Sequence, residues 1–203
     1  ELLPPVQSEF MLYISNLSLR VQPRRHVPLP PAPAAAAAPE PPRDDGDDEA
    51  KEAAEEAIPS ALSQFYQTVN SIDRLRALYV FVKRVAKRSK AMVFCSTVAS
   101  AQFHCMMMGA VGFHNEVLML HGKMKHRQRL ATFECFLKWP TGVLFCTDVA
   151  ARGLDIPDVD WILQYDPPMD PTEYIHRIGR TARAGAVGSA LMFVSPAEQG
   201  FVT

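Results

Sequence analysis

Beyond Ser60 the chain alternates short apolar runs with amphipathic segments, and this alternation limits its fold more than any other feature. The apolar runs have the length and the β-branched or aromatic content of buried strands. They are residues 64–69, 91–95, 117–120, 142–146, 161–165 and 189–194. Between the first two runs, Leu75, Leu78 and Val82 recur on one helix face. Regular strand-helix alternation predicts an α/β domain, with a parallel sheet covered by helices on both faces.

The net charge of the chain is −1, and it is the sum of one strongly acidic segment and a basic rest of the chain. Residues 40–56 hold nine acidic side chains against Arg43 and Lys51, a net charge of −7, which leaves +6 for the rest of the chain. Residues 28–59 are mainly proline, alanine and acidic residues, which bury too little apolar surface to offset the entropy of ordering. We therefore expect a disordered segment there and a basic folded part that suits a polyanionic partner.

The composition divides the chain into three parts. Residues 1–27 are expected to be a linker or the tail of a preceding lobe, residues 28–59 the disordered segment, and residues 60–203 one globular domain. The chain starts without methionine and stops just after a helix-start signal at Ser195, so we expect a fragment. No apolar run approaches the roughly 18 residues of a membrane helix, and no membrane partner is expected. The four cysteines lack C-x-x-C spacing, so we expect buried thiols and no metal site.

The segment HRIGRTARAG, from His176 to Gly185, places three arginines within eight residues. Asp170 has the features of an N-cap, and Gly185 is expected to mark the helix end. At about 100° per residue, His176, Arg180 and Arg183 would share one stripe and Arg177 would point elsewhere. Guanidinium groups match phosphate oxygens, so the stripe predicts an anion site. The alternative is an exposed basic helix face, but Gly179 within the stripe indicates close approach of the backbone to a ligand.

Polar turns follow three of the predicted strands. Ser96-Thr97, His121-Gly122 and Thr147-Asp148 should all lie at the carboxyl edge of the sheet, where open α/β proteins bind ligands. Each turn leads into a helix N-terminus, which attracts phosphate. One of these helices is expected to bury Leu130, Phe133 and Leu137. Four cations crowd its start, where they are unfavourable unless an anion binds: Lys123, Lys125, Arg127 and Arg129.

These segments resemble the motifs of the DEAD-box RNA helicases. HRIGRTARAG resembles motif VI, and TDVAARGLDIPD at residues 147–158 resembles motif V. MVFCST at residues 92–97 is similar to motif IV, and LHGKMKHRQR at residues 120–129 to the His-Gly turn and motif IVa. The resemblance covers about residues 63–195 and implies the RecA-like fold of the C-terminal helicase lobe.

The resemblance also implies roles on the ATP side. Arg180 and Arg183 would be the catalytic arginine fingers on the γ-phosphate of ATP. Gly153 and Asp155 would bind the nucleotide, with Asp155 on a ribose hydroxyl. The chain has no G-x-x-x-x-G-K-[ST] phosphate loop and no strand-borne D-E-A-D sequence. Mg²⁺ and the phosphate cradle would therefore belong to a missing N-terminal lobe, and this chain alone is expected to be inactive.

Further roles concern the RNA and the other lobe. Arg152, His176 and Arg177 are expected to link the two lobes. Five residues fall where the family holds or organises the RNA backbone: Thr97, Gly122, Arg129, Thr147 and Asp148. The sequence departs from the family at His126, where glutamine is usual and no role is expected, and at Ala182, where glycine is usual. An alanine is expected to be tolerated there because it is a good helix former.

Two other function classes stay open. One is a non-catalytic RNA-binding or regulatory protein, against which the intact HRIGRTAR segment argues. The other is a DNA helicase or translocase of the same superfamily, although the histidine that begins motif VI favours RNA. The run DWILQYDPP resembles helicases that assemble the large ribosomal subunit, which implies pre-ribosomal particles as partners and a nucleolar, otherwise cytoplasmic, location.

Overall fold

The structure, a computed structural model, describes residues 21–23, 61–151, 159–182 and 186–201. Its strands are β1 (Val21–Pro23), β2 (Leu62–Thr68), β3 (Lys90–Phe94), β4 (Val117–Leu120), β5 (Gly142–Cys146), β6 (Trp161–Gln164) and β7 (Gly188–Val194). Its α-helices are α1 (Arg74–Val85), α2 (Val98–Met108), α3 (His126–Lys138), α4 (Asp148–Ala151) and α5 (Pro171–Ile178). A π-helical turn (Gly109–Phe113) follows α2, and a 3-10 helix (Pro196–Phe201) follows β7.

One sheet contains all seven strands, in the order β1-β2-β7-β6-β3-β5-β4. The six strands from β2 to β7 pair in parallel, as the alternation of strands and helices predicts. Strand β1 is antiparallel to β2, with Val21 opposite Gln67. The pattern did not indicate β1, because three residues that include Pro23 show no measurable periodicity. The predicted disordered segment lies outside the described residues.

The two faces of the sheet carry separate apolar cores. On one face, α1 and α2 pack against the strands. The rings of Phe81 and Trp161 meet edge to face there, with their centroids 6.0 Å apart. On the other face, Phe136 of α3 and Tyr174 of α5 are buried against Met92 and Ile162. Helices therefore cover both faces, as predicted, and the buried ring of Trp161 belongs to the core. The parallel strands are buried on both sides, which is why their sequences are continuous apolar runs.

The prediction for the core of α3 was wrong for two of its three residues. Phe136 is fully buried, whereas Leu130 and Leu137 are 39% and 41% exposed, and Phe133 is half-buried. Helix α3 packs on β4, which is the last strand of the sheet. Phe136 therefore takes the central place in the core of this helix, with Phe133 packed beside it.

Two of the four cysteines end neighbouring strands and are fully buried, as predicted. Burial raises the pKa of Cys95 to about 12 and that of Cys146 well above its usual value. Burial likewise raises the pKa of Cys105 to about 11, whereas Cys135 is exposed. Thiols with raised pKa values stay protonated at neutral pH and are poor nucleophiles. The buried Cys95 and Cys146 and the half-buried Cys105 are therefore packing residues.

Candidate functional site

The structure brings the three predicted turns together at the carboxyl edge. Strands β3, β5 and β4 are neighbours, so the turns that follow them are adjacent. The strand ladder continues into the turns: the Cys95 N–H donates to the Cys146 carbonyl at 2.9 Å, and the Thr147 N–H to the Leu120 carbonyl at 3.4 Å. Thr97 and Gly122 are exposed beside them. At this edge, Thr97 and Gly122 are therefore accessible to a ligand.

Thr97 caps helix α2 and keeps a free donor. Its Oγ1 accepts the Ser100 N–H at 3.0 Å, which satisfies one of the open donors of the first turn. A hydroxyl can accept and donate at the same time. The Thr97 hydroxyl proton thus stays available to a phosphate or ribose oxygen while the cap holds the side chain in place.

Three side chains at this edge have a buried polar atom without a hydrogen-bond partner. They are Oγ1 of Thr147, Nδ1 of His121 and Nε of Arg129. Thr147 and His121 are only 5% and 4% exposed, so water reaches them poorly. A buried polar atom without a partner costs about 1–3 kcal/mol, and such atoms in native proteins call for an explanation. A ligand that supplies the missing partners is one.

His121, which the sequence indicated only as part of the His121-Gly122 turn, is a further donor at this edge. Burial, and then the charge of Lys123, lowers the pKa of His121 from its usual 6.5, so the ring is neutral at pH 7. The Gln102 amide nitrogen can only donate, so His121 Nε2 accepts from it at 3.1 Å and Nδ1 carries the proton. The Leu-His-Gly-Lys turn was the signal for this residue, but nothing in it predicted the contact with Gln102.

Helix α3 begins without any side-chain acceptor. Lys125 is its N-cap residue, and the first turn contains no acidic residue. Lys123, Lys125, His126 and Arg127 are exposed around the helix start. The helix dipole and the charges of Lys123, Lys125 and Arg127 repel one another, and a bound anion would offset this repulsion. The structure therefore preserves the charge arrangement on which the prediction of an anion site depended.

Helix α5 begins as predicted. The Asp170 side chain accepts the Glu173 N–H at 2.8 Å, and the Glu173 side chain accepts the Met169 N–H at 3.2 Å. These two bonds satisfy open backbone donors at the start of the helix.

The predicted end of this helix, at Gly185, was wrong, because α5 ends at Ile178. Thr181 forms a parallel bridge with Val159, and its hydroxyl donates to the Val159 carbonyl. This extended pairing stops the helix, so the predicted arginine stripe does not exist as a helix face. Arg180 lies in the turn, and Arg183 lies outside the described residues. Gly179 is the C-cap residue, and an added Cβ would lie 3.1 Å from the Ile175 carbonyl, so no ligand is needed to explain this glycine.

The reason given for tolerating alanine at position 182 was also wrong, because Ala182 lies beyond the end of the helix. Ala182 is 3% exposed and has φ of 57°, in the left-handed region that favours glycine. Glycine is usual at this position because it adopts a positive φ without strain, whereas alanine adopts it with strain.

The prediction that Arg177 links two lobes was wrong. Arg177 is 2% exposed, and its Nε and Nη2 donate to the two carboxylate oxygens of Asp148 at 2.7 Å each. Its Nη1 donates to the Asp166 carbonyl at 2.8 Å. Helix α5 turns this side chain towards the sheet, where a charge can exist only if it is paired. The guanidinium thus fixes Asp148, next to Thr147, while His176 is exposed and its role stays a prediction.

Four predicted site residues lie outside the described residues: Arg152, Gly153, Asp155 and Arg183. Among the residues that the structure describes, no three His, Cys, Asp or Glu side chains are grouped to hold a metal ion. No helix in the described ranges is long and apolar enough to cross a membrane.

Comparison with known proteins identifies the family. A family described as the helicase conserved C-terminal domain matches residues 70–185. The chain belongs to this family. The helicase HAS1 of Mycosarcoma maydis is 48% identical over 143 residues, 70% of this chain and 24% of that protein. Human DDX18 is 47% identical over 147 residues, 72% of this chain and 22% of that protein. Both are named ATP-dependent RNA helicases, and this helicase lobe spans about a quarter of their length.

Solved structures of DEAD-box proteins have the same fold. The C-terminal domain of Dbp5 is 30% identical, with a TM-score of 0.60 over 71% of this chain and 81% of that domain. Helicase domain 2 of Mss116p, solved with an RNA duplex, is 37% identical, with a TM-score of 0.58 over 64% of this chain and 53% of that chain. The predicted RecA-like fold is thereby confirmed.

Proposed function

We propose that this chain is the C-terminal lobe of an ATP-dependent RNA helicase and acts together with an N-terminal RecA-like lobe. Residues 60–203 would form the lobe, and the preceding residues a linker or the end of the other lobe. The observation that supports this most is the carboxyl edge, where buried donors of His121, Arg129 and Thr147 lack partners beside an uncapped helix start. A sugar-phosphate backbone supplies acceptors for all of them.

The RNA would lie along the turns after β3, β4 and β5. The hydroxyls of Thr97 and Thr147 would donate to phosphate or ribose oxygens, and Gly122 would contribute its exposed N–H. Arg129 would contact a phosphate from the first turns of α3. Asp148 would organise this edge through its bidentate pair with Arg177. None of these groups reads a base edge, so binding would be independent of base sequence.

The ATP side would be formed by the segment after α5. The Arg180 backbone is held on both sides, because its N–H donates to the Arg177 carbonyl at 3.2 Å and its carbonyl accepts the Val159 N–H at 3.1 Å. Arg180 and Arg183 would stabilise the charge that develops on the γ-phosphate. Gly153 and Asp155 would hold the nucleotide, and Arg152 and His176 would contact the other lobe. That lobe would supply the Mg²⁺ ligands and the phosphate loop.

The resemblance of the DWILQYDPP run suggests pre-ribosomal particles as partners and a nucleolar location. Closure of two lobes on ATP would bend the bound strand and separate a short duplex. This step requires both lobes, so RNA binding by this chain alone would produce no unwinding.

Two assays test the proposal. The chain alone should bind single-stranded RNA with little base preference and show no RNA-stimulated ATPase, whereas the full-length protein with both lobes should hydrolyse ATP when RNA is added. ATPase that responds to DNA but not to RNA of the same sequence would favour the translocase alternative. RNA binding without any turnover in the two-lobed protein would favour the regulatory alternative.

A further inference from the structure

Asp166, which lies two residues beyond the end of β6, connects several parts of the carboxyl edge. Its Oδ2 accepts the Ser96 N–H at 2.9 Å, and its Oδ1 lies 3.4 Å from Nη1 of Arg74. Its backbone carbonyl accepts from Arg177 at 2.8 Å. The side chain is 24% exposed, so these bonds are partly shielded from water. Among the motifs found in the sequence, the DWILQYDPP run contains Asp166, but no role was predicted for this residue.

These bonds connect two of the turns that are proposed to contact RNA. On one side, Ser96 directly precedes Thr97. On the other side, Arg177 holds Asp148, which directly follows Thr147. The path from Ser96 through Asp166 and Arg177 to Asp148 therefore contains only hydrogen bonds of 2.7–2.9 Å. Because consecutive phosphates have a fixed spacing, the distance between the two turns is a property that RNA binding would require.

Asp160, at the opposite edge of the sheet, makes the same kind of bond. Its Oδ2 accepts the Lys90 N–H at 2.7 Å, so β6 is bonded to β3 by an aspartate at each end. In both cases, an aspartate next to β6 accepts, through its carboxylate, a backbone N–H at the corresponding end of β3. Asp160 lies at the amino edge, away from the proposed RNA contacts, and so provides a matched control.

We propose that Asp166 is a positioning residue for RNA: it holds the Ser96-Thr97 turn at a fixed distance from the Thr147-Asp148 turn. This inference rests on the proposed function, because it assumes that these two turns contact RNA. The effect of removing the Asp166 carboxylate on RNA affinity should be opposite to the effect expected from charge alone. Removing a carboxylate near a polyanion should strengthen binding through reduced repulsion, whereas removing a positioning residue should weaken it.

The test is RNA affinity, measured by fluorescence anisotropy with a labelled oligouridine and the whole chain. Asp166→Ala should raise Kd roughly tenfold, because a hydrogen bond to a charged acceptor is lost. Asp166→Asn keeps an oxygen that can accept the Ser96 N–H, so its Kd should equal the wild-type value or fall below it. Asp160→Ala should change Kd less than about twofold, although it loses the same kind of bond.

The outcomes separate this inference from the proposed function. If Asp166→Ala binds RNA as tightly as wild type, or Asp160→Ala weakens binding equally, Asp166 has no positioning role. If wild type itself fails to bind oligouridine, the proposed function fails first. Should the alanine variant not fold, Asp166→Glu displaces the carboxylate by one methylene and should raise Kd severalfold; a wild-type Kd for a folded Glu variant would overturn the inference.

Discussion

The two edges of the sheet differ in how completely they satisfy their own polar groups. At the amino edge, the Lys90 N–H is bonded to Asp160, Nζ of Lys90 donates to the Leu137 carbonyl, and Lys87 pairs with Glu116. At the carboxyl edge, several buried polar atoms have no partner. Within the described part of the chain, all such side-chain atoms belong to residues near this edge: Gln67, Arg74, His121, Arg129, Thr147 and Gln164.

The same strands contribute to both edges, so the difference does not come from the quality of the fold. It indicates that one edge is complete without a ligand and the other is not. An edge that binds nothing gains stability from each internal pair, whereas an edge that binds RNA must leave donors open and accept the cost. Mutations at the two edges should therefore have different consequences.

The largest expected effect is on ATP turnover. In the two-lobed protein, Arg180→Ala or Arg183→Ala should reduce turnover by roughly 10³-fold, the range for an arginine finger. Lys87→Ala, at the amino edge, should leave turnover unchanged. RNA binding by the chain alone should hardly change in the Arg180 variant. If that variant instead loses RNA binding and keeps ATPase, the arginine contacts nucleic acid.

The second effect is on stability and compares an ion pair at each edge. Arg177→Ala leaves Asp148 without its buried partner and should reduce the free energy of unfolding by about 3–5 kcal/mol. Glu116→Ala removes the exposed pair with Lys87, whose N···O distance is 3.7 Å, and should cost about 0.5 kcal/mol or less. Urea denaturation measures both. Equal losses would mean that Arg177 is not the internal anchor that the structure shows.

The third effect is on the salt dependence of RNA binding. Arg129→Ala should weaken binding and reduce the slope of log K against log salt concentration by about one phosphate contact. Lys87→Ala carries the same change of charge at the amino edge and should preserve the slope. A common slope for both variants would mean that RNA senses only the net charge of the domain.

A smaller effect concerns stability in acid. Burial lowers the pKa of His104 and of His121 from the usual 6.5. The two histidines therefore bind protons more tightly in the unfolded chain than in the native state. Their contribution to the free energy of unfolding is fully present above pH 6.5 and is lost as the pH falls below it. Urea denaturation at a series of pH values should show this loss, and His104→Gln should reduce it. A loss of stability with rising pH through this window would contradict the sign.

The smallest effect concerns the backbone after α5. Ala182→Gly should stabilise the protein by about 1 kcal/mol or less, because glycine adopts a positive φ without strain. Ala190→Gly, in the regular strand β7, should destabilise it, because a strand glycine loses more entropy on folding. Thermal melting of the two variants measures the difference. Destabilisation by Ala182→Gly would mean that the buried methyl group outweighs the backbone strain.

The sequence predicts the sheet well because each parallel strand is buried on both faces. The bounds of β4 and β5 agree with the predicted runs at both ends, since short apolar runs between polar turns leave little choice. The grouping of Thr97, Gly122 and Thr147 follows from the same pattern, because the carboxyl ends of parallel strands share an edge.

Contacts between distant residues are what the sequence could not supply. Helix α5 stops because Thr181 pairs with Val159. Arg177 turns inward because it pairs with Asp148, which lies 29 positions earlier in the chain. Helical periodicity carries no information about either partner. The positive φ of Ala182, which directly follows Thr181, has no periodic signal in the sequence either.

Amide chemical shifts would show directly whether RNA binds the carboxyl edge of the sheet. Uniformly ¹⁵N-labelled chain would be titrated with oligouridine, and each backbone N–H followed by NMR. We expect the amides of Thr97, Gly122 and Thr147 to shift with one common Kd, while those of Lys90 and Gly142 at the amino edge stay in place. Shifts confined to the amino edge, or an unchanged carboxyl edge in the presence of bound RNA, would contradict this expectation.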